Sequence, residues 1–209
     1  MFTNEGKVQI VKASLGILYS DTGKIPNQRE GLSILANNSS DYKNWNGPYL
    51  SETLYDLWRN DIKYIVVRDG YYLISPGDDG VFDTSDDVII HESFNSLVHF
   101  YLYNLAELVD RYFNDTGRYP TQEEGLIPLV EKPNNVNNWN GPYIATINKD
   151  IWGQDIIYKL TDDGYFVYSA GKDGEYPTKD DVIVFETYSI RLQDGVSTSG
   201  DKKAETLLD

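Results

Sequence analysis

Cysteine is absent from the 209 residues, so the chain can form neither disulfides nor thiolate metal sites. No stretch approaches the roughly 18 consecutive apolar residues that a membrane-spanning helix needs. Basic residues are scarce: 18 Lys and Arg stand against 33 Asp and Glu, which gives a net charge of −15. Nucleic acids and anionic membranes are bound through a basic face, so this balance argues against either as a partner.

Residues 1–5 lack the basic start and the apolar run of a signal peptide. Two interpretations stay open: the protein is not exported, or a leader has been removed. Aromatic residues make up 13% of the chain and include 17 Tyr and 4 Trp, which favours packed globular structure over disorder. A chain of this length can form one large domain or two small ones.

The same order of motifs occurs twice, at a constant offset of 94 residues that holds from Asp21 to Glu92 without insertion or deletion. Each copy begins with a predicted helix. In the first copy, apolar residues recur every three or four positions over about residues 5–19, which is typical of one buried helical face. The second predicted helix begins after Ser93, a residue type that favours the N-cap position. A glycine follows each helix, as is common past the last helical turn.

A β-hairpin and a third strand follow in each copy. In the first copy the strands are predicted at residues 62–67, 71–75 and 88–90. We therefore predict an α+β fold with two tandem domains, each an N-terminal helix packed on a small antiparallel three-stranded sheet. The expected bounds are 1–92 and 93–187, followed by a polar C-terminal tail at 188–209 that includes one possible extra strand at 188–192.

The loop before the last strand of each copy carries three aspartates in the same spacing. They are Asp79, Asp86 and Asp87 in the first copy and Asp173, Asp180 and Asp181 in the second. Converging carboxylates repel one another unless a cation lies between them. Oxygen ligands without His or Cys suit a hard ion, calcium before magnesium or manganese. The alternative is a pair of solvated turns, since Asp and Gly are common in turns; both copies keep the trio while neighbouring residues change, which favours the cation.

The remaining motifs favour no catalytic chemistry. Trp45 and Trp139 are expected to be core residues, with sugar stacking beside a cation as the alternative. Trp58 and Trp152 precede strands and are interpreted as structural. The two histidines have no counterpart in the other copy, and no catalytic triad order, phosphate loop or zinc spacing is present. The sequence therefore predicts a protein that is not an enzyme.

Several motifs of the second copy resemble the soluble domain of the major pseudopilin of type II secretion systems, the G-type pseudopilin. They are Arg118-Tyr119-Pro120-Thr121, Gly125-Leu126, Asn138 to Tyr143, Asp150-Ile151-Trp152-Gly153, Ser169 to Gly174 and Asp180-Asp181-Val182. The first copy matches less fully, and the resemblance spans residues 5–187. It departs from the family in its tandem arrangement and in having no apolar pilin-type helix before residue 5. It also departs at Arg59, where the family has Gly after Trp, so that turn must differ or be strained.

The resemblance implies a non-enzymatic structural or interaction protein in which Ca²⁺, one ion per domain, orders the loop before the last strand. It assigns the ion to the two aspartate trios. Backbone carbonyls are implied as further ligands, from Ala170 and Thr178 in the second copy and from Pro76 and Thr84 in the first. It also implies protein partners, pseudopilins or other secretion components, and a periplasmic or extracellular location. The alternative hypothesis is a calcium-dependent surface module that binds glycan or protein.

Overall fold

The computed structural model describes residues 3–38, 42–50 and 55–187. It contains the expected α+β fold with two units of the same architecture. The first unit comprises helix α1 (Asn4–Thr22), a 3-10 helix (Gly31–Leu35) and strands β1 (Lys63–Val67), β2 (Gly70–Ser75) and β3 (Val88–Ser93). The second unit comprises helix α2 (Phe94–Thr116), a 3-10 helix (Ile127–Leu129) and strands β4 (Ile157–Leu160), β5 (Gly164–Ser169) and β6 (Val182–Thr187). The tail and its possible strand at 188–192 lie outside the described residues.

Local sequence signals explain where the helices begin and end. Ser93 caps α2 as predicted, because its hydroxyl accepts a hydrogen bond from the N–H of Ser96 at 3.1 Å. Gly23 and Gly117 end the two helices with φ of 68° and 77°, a left-handed conformation that favours glycine. Helix α1 ends at Thr22, directly before the glycine that was predicted to follow it. Among the described helices, none combines the length and apolar character needed to cross a bilayer.

Each sheet is antiparallel, with strand orders β1-β2-β3 and β4-β5-β6. A glutamine side chain covers the edge strand of each sheet. The Gln28 amide nitrogen donates to the Tyr64 carbonyl at 2.8 Å, and the Val66 N–H donates to the Gln28 carbonyl oxygen at 2.9 Å. Gln122 makes the same pair of hydrogen bonds with β4. These side chains satisfy backbone groups that an open edge would leave for another strand.

The two units contact each other through their helices. Tyr19 of α1 is fully buried and belongs to the hydrophobic core of the second unit, where its ring meets Tyr101 of α2 edge-on at a centroid distance of 5.7 Å. The Asn148 amide donates to the Ser20 carbonyl at 3.0 Å, and Ile25 packs against both cores. Each unit thus keeps its own core, and the two cores meet at the end of α1.

The tryptophans differ in how far they are buried. Trp45 and Trp139 are half-buried against their cores, and each indole N–H donates to a carbonyl of the neighbouring 3-10 helix, at 3.1 Å and 2.8 Å. Trp152 also packs on its core. Trp58 does not: it is 48% exposed, so its interpretation as a structural residue is not supported.

Candidate metal centres in two acidic loops

The two acidic loops occupy equivalent places, between β2 and β3 in the first unit and between β5 and β6 in the second. Each begins with a tight turn around a glycine of positive φ, Gly77 at 69° and Gly171 at 61°. A side chain at either glycine would overlap an aspartate across the turn, Asp86 or Asp180. The backbone therefore closes around this aspartate, and glycine is required both for conformation and for space.

The second loop brings the three predicted aspartates together around one hydroxyl. Thr178 Oγ1 lies 2.8 Å from Asp180 Oδ1, 3.3 Å from Asp173 Oδ1 and 3.5 Å from Asp181 Oδ1. The other carboxylate oxygen of Asp180 accepts the N–H groups of Lys172 and Asp173 at 2.7 Å and 3.1 Å. A hydroxyl donates one proton, so it cannot satisfy three carboxylates at once.

The first loop repeats most of this geometry. The N–H groups of Asp78 and Asp79 donate to Asp86 Oδ2 at 2.7 Å and 3.3 Å. Thr84 Oγ1 lies 2.6 Å from Asp86 Oδ1 and 3.4 Å from Asp87 Oδ1. Asp79 and Asp173 each accept a backbone N–H within their loop, from Val81 and Glu175. Asp173 also lies in reach of the Thr178 hydroxyl, whereas the hydrogen bonds described for Thr84 do not include Asp79. The trio is therefore drawn together less completely here than in the second loop.

The four residues expected to provide carbonyl ligands all lie in the two loops. The Ala170 carbonyl accepts the Gly174 N–H at 3.1 Å, which closes the first turn of the second loop. Thr178 was predicted to contribute its carbonyl, but its hydroxyl and its N–H also contact the aspartates. The N–H donates to Asp181 Oδ2 at 2.8 Å. Pro76 opens the first loop directly after β2. The carbonyls of these four residues stay predicted ligands.

Hydrogen bonds favour the ionised form of one aspartate in each loop, Asp180 and Asp86. The Thr178 hydroxyl and then the neighbouring N–H groups lower the pKa of Asp180 below its usual value. The Thr84 hydroxyl does the same for the pKa of Asp86. Asp78 behaves in the opposite way, because its contact with Asp86 raises its pKa. Each loop thus holds one aspartate whose charged form is favoured by the donors of the loop itself.

The donor set fits a hard cation. Each loop offers only oxygen atoms, from three aspartates and a threonine, and Ca²⁺ prefers such ligands. Within the described part of the chain, no three His, Asp or Glu side chains already stand together as a complete ligand set. The carboxylates point instead at the threonine hydroxyl and at backbone N–H groups.

Comparison with known proteins shows which family has this sequence pattern. The family described as "Type II secretion system (T2SS), protein G" matches the chain twice, over residues 3–93 and 91–185. The chain belongs to this family. The resemblance inferred from the sequence motifs is thereby confirmed, and so is the presence of two protein G-like units in one chain.

Individual members of the protein G family match one unit's length of sequence. The type II secretion system core protein G of Aeromonas hydrophila is 37% identical over 86 residues, which cover 37% of this chain and 59% of that protein. That of Escherichia coli K12 is 40% identical over 86 residues, 37% of this chain and 58% of the protein. This chain thus spans less than two thirds of the length of these relatives. The crystal structure of the major pseudopilin from the type 2 secretion system of enterohaemorrhagic Escherichia coli is 30% identical, with a TM-score of 0.36, and the match covers 46% of this chain and 82% of that one.

Under each loop of this protein G-like chain lies a buried pair of side chains whose role the sequence motifs did not predict. Ser75 donates to Asp56 Oδ2 at 2.8 Å in the first unit, and Ser169 donates to Asp150 Oδ2 at 2.5 Å in the second. All four residues are buried. Their signal in the sequence was present, since both pairs recur at the offset of 94 residues, but an aspartate before a strand looks like an ordinary turn residue.

Proposed function

We propose that this chain is a non-enzymatic, calcium-binding structural and interaction protein of type II secretion, in which one Ca²⁺ per unit orders the acidic loop. The observation that carries the proposal is the convergence of Asp173, Asp180 and Asp181 on the hydroxyl of Thr178. The first loop supports it independently, because Asp86 and Asp87 converge on Thr84 in the same way.

Calcium would relieve the repulsion between the carboxylates of the second loop. Asp180 and Asp181 are adjacent in sequence, and both lie within reach of one hydroxyl that can donate to only one of them. A divalent cation neutralises such a cluster and fixes the loop to the end of β5. The backbone carbonyls of Ala170 and Thr178, with water, would complete a shell of six to eight oxygens.

The relatives named type II secretion system core protein G support other secretion components, including pseudopilins, as the partners of this chain. The resemblance to the G-type pseudopilin favours a periplasmic or extracellular location for the protein. The loops and the interface of the two units would then serve to present fixed surfaces to these partners.

Thermal unfolding of the full chain with calcium or EDTA tests the proposal. Calcium at 100 times its Kd stabilises a single site by about 2.7 kcal/mol, so EDTA should lower the Tm clearly. Asp181→Ala should abolish the calcium effect on the second unit and Asp87→Ala that on the first. Asp163→Ala, in the exposed turn between β4 and β5, is the matched control and should leave both effects intact. A Tm indifferent to EDTA in the unaltered chain would refute calcium binding.

A second candidate function is a calcium-dependent surface module that binds glycan. It is favoured by one observation: Phe82 and Tyr176, at equivalent positions in the two loops, are 36% and 47% exposed, and exposed rings can stack on sugars. Glycan-array binding in calcium and in EDTA separates the two functions. Calcium-dependent retention of a glycan would favour the module, whereas calcium uptake without retention favours the structural role.

A further inference from the structure

A buried serine and aspartate lie beneath each acidic loop, outside the set of predicted ligands. We propose that these pairs, Ser169 with Asp150 and Ser75 with Asp56, are positioning residues that hold the loop in the conformation that binds the cation. The inference rests on the proposed calcium binding and extends it to residues that do not touch the ion.

In the second unit the pair forms a fixed point at the end of β5. Asp150 is 3% exposed, and its Oδ1 accepts the N–H groups of Trp152 and Gln154 at 2.9 Å and 2.8 Å. Its Oδ2 accepts the hydroxyl of Ser169, which in turn accepts the N–H of Gly171 at 3.1 Å. The carboxylate thus has three donors, and a buried charge with fewer donors would be costly.

The fixed point continues directly into the acidic loop. Gly171 N–H bonds to Ser169, and the next two N–H groups, of Lys172 and Asp173, bond to Asp180 Oδ2. These three N–H groups belong to successive peptide units, so the orientation of the first constrains the other two. The Ser169 hydroxyl therefore helps to orient the backbone N–H groups that bind Asp180. Of the three aspartates, Asp180 lies nearest to the Thr178 hydroxyl.

The first unit repeats the arrangement and adds two side-chain donors, Asn60 and Asn4. The Asn60 amide donates to Asp56 Oδ2 at 3.3 Å and to the Gly77 carbonyl of the loop at 2.8 Å. Ser75 donates to Asp56 and accepts the N–H of Gly77 at 3.3 Å. The amide of Asn4, a buried residue in the first turn of α1, also donates to Ser75 Oγ at 2.8 Å. The counterpart of Asn4 in α2 is Val98, which offers no such donor. The first loop is thus connected to its helix by a hydrogen bond that the second loop lacks.

Calcium titration calorimetry on the full chain tests the proposal. Asp87→Ala removes the first site, so that only the second is titrated. In this background Ser169→Ala should raise the calcium Kd about tenfold, a change of about 1.4 kcal/mol. Asp150→Asn keeps the side-chain size but takes away the acceptor of the serine hydroxyl, and it should weaken binding several-fold. Asp150→Asn also tests the positioning role if Ser169→Ala fails to fold.

The control must separate positioning from general destabilisation. Thr116→Val removes another hydroxyl of the second unit, whose described hydrogen bonds all lie at the end of α2. It should lower the Tm in EDTA without changing the Kd. In an Asp181→Ala background, Asn4→Val should weaken calcium binding at the remaining first site, and with Asp87→Ala instead it should leave the second site unchanged.

The outcomes distinguish this inference from the proposed function. If the unaltered chain takes up no calcium, calcium binding itself is refuted. If the unaltered chain binds and both second-unit variants bind with a Kd within twofold of it, calcium binding stands and the positioning role is overturned. An equal rise in Kd for Thr116→Val would also overturn it, because the effect would then follow stability alone.

Discussion

Replacing Tyr19 with alanine should reveal how strongly the two units depend on each other. The side chain leaves α1 and is fully buried in the core of the second unit, beside Tyr101. An aromatic side chain buries about 150–250 Å², which at about 25 cal/mol per Å² corresponds to roughly 4–6 kcal/mol of transfer free energy. Alanine retains a small part of it and leaves a cavity. We expect the free energy of unfolding to fall by about 3–5 kcal/mol.

Urea unfolding followed by circular dichroism measures this loss. Ile17→Ala on the same helix is the matched control, since Ile17 is 48% exposed and its truncation should cost less than about 1 kcal/mol. The variant should also make the unfolding of the two units less cooperative, because the largest side chain that α1 places in the second core is gone while Ile25 and the Asn148–Ser20 hydrogen bond remain. A loss for Tyr19→Ala no larger than that for Ile17→Ala would refute the interface described here.

Two further predictions concern the backbone and the tyrosines. Arg59 has φ of 70° where its counterpart Gly153 has 89°. Arg59→Gly should therefore raise the free energy of unfolding by about 1 kcal/mol, and Gly153→Arg should lower it by a similar amount. Urea unfolding measures both changes, and no change in either variant would contradict a strained turn. Burial raises the pKa of Tyr49, Tyr101 and Tyr143 to about 12, against about 10 in an unfolded chain. The fold favours the protonated phenols, so their contribution is complete below pH 10 and is lost as the pH rises from about 10 to about 12. The tyrosinate absorbance of these three residues, measured as the difference between the unaltered chain and its Tyr→Phe variants, should appear together with the loss of circular dichroism. Titration of these phenols near pH 10 in an intact fold would be the contrary result.

The sequence predicted those features that depend on local chemistry. Helical periodicity, the Ser93 cap, the terminal glycines and the hairpins are each encoded within a few residues, and the repeat allowed every assignment to be checked twice. The turn at Arg59 was predicted to differ or be strained because the resembling family has glycine there, and Arg59 indeed has a positive φ, as its counterpart Gly153 does. Local signals fix the elements and the loops they hold.

Other features depend on contacts between distant residues. The periodicity of α1 marks an apolar face, but it does not say that Tyr19 at its end enters the core of the other unit. The exposure of Trp58 and the burial of Asp56 also run against residue type, because burial is decided by what packs nearby. The Thr178 hydroxyl contacts Asp173, but the contacts described for Thr84 do not include Asp79; this difference depends on side-chain orientation, which the shared spacing could not reveal.

The glutamines that cover β1 and β4 have a consequence for assembly. An edge strand with unpaired backbone groups can bind a strand of a neighbouring chain, and a chain with two sheets has more such edges than a chain with one. Gln28 and Gln122 each cover such an edge with a single amide, which donates once and accepts once as a peptide group would. The β1 and β4 edges are therefore less open to the addition of a strand from a neighbouring chain.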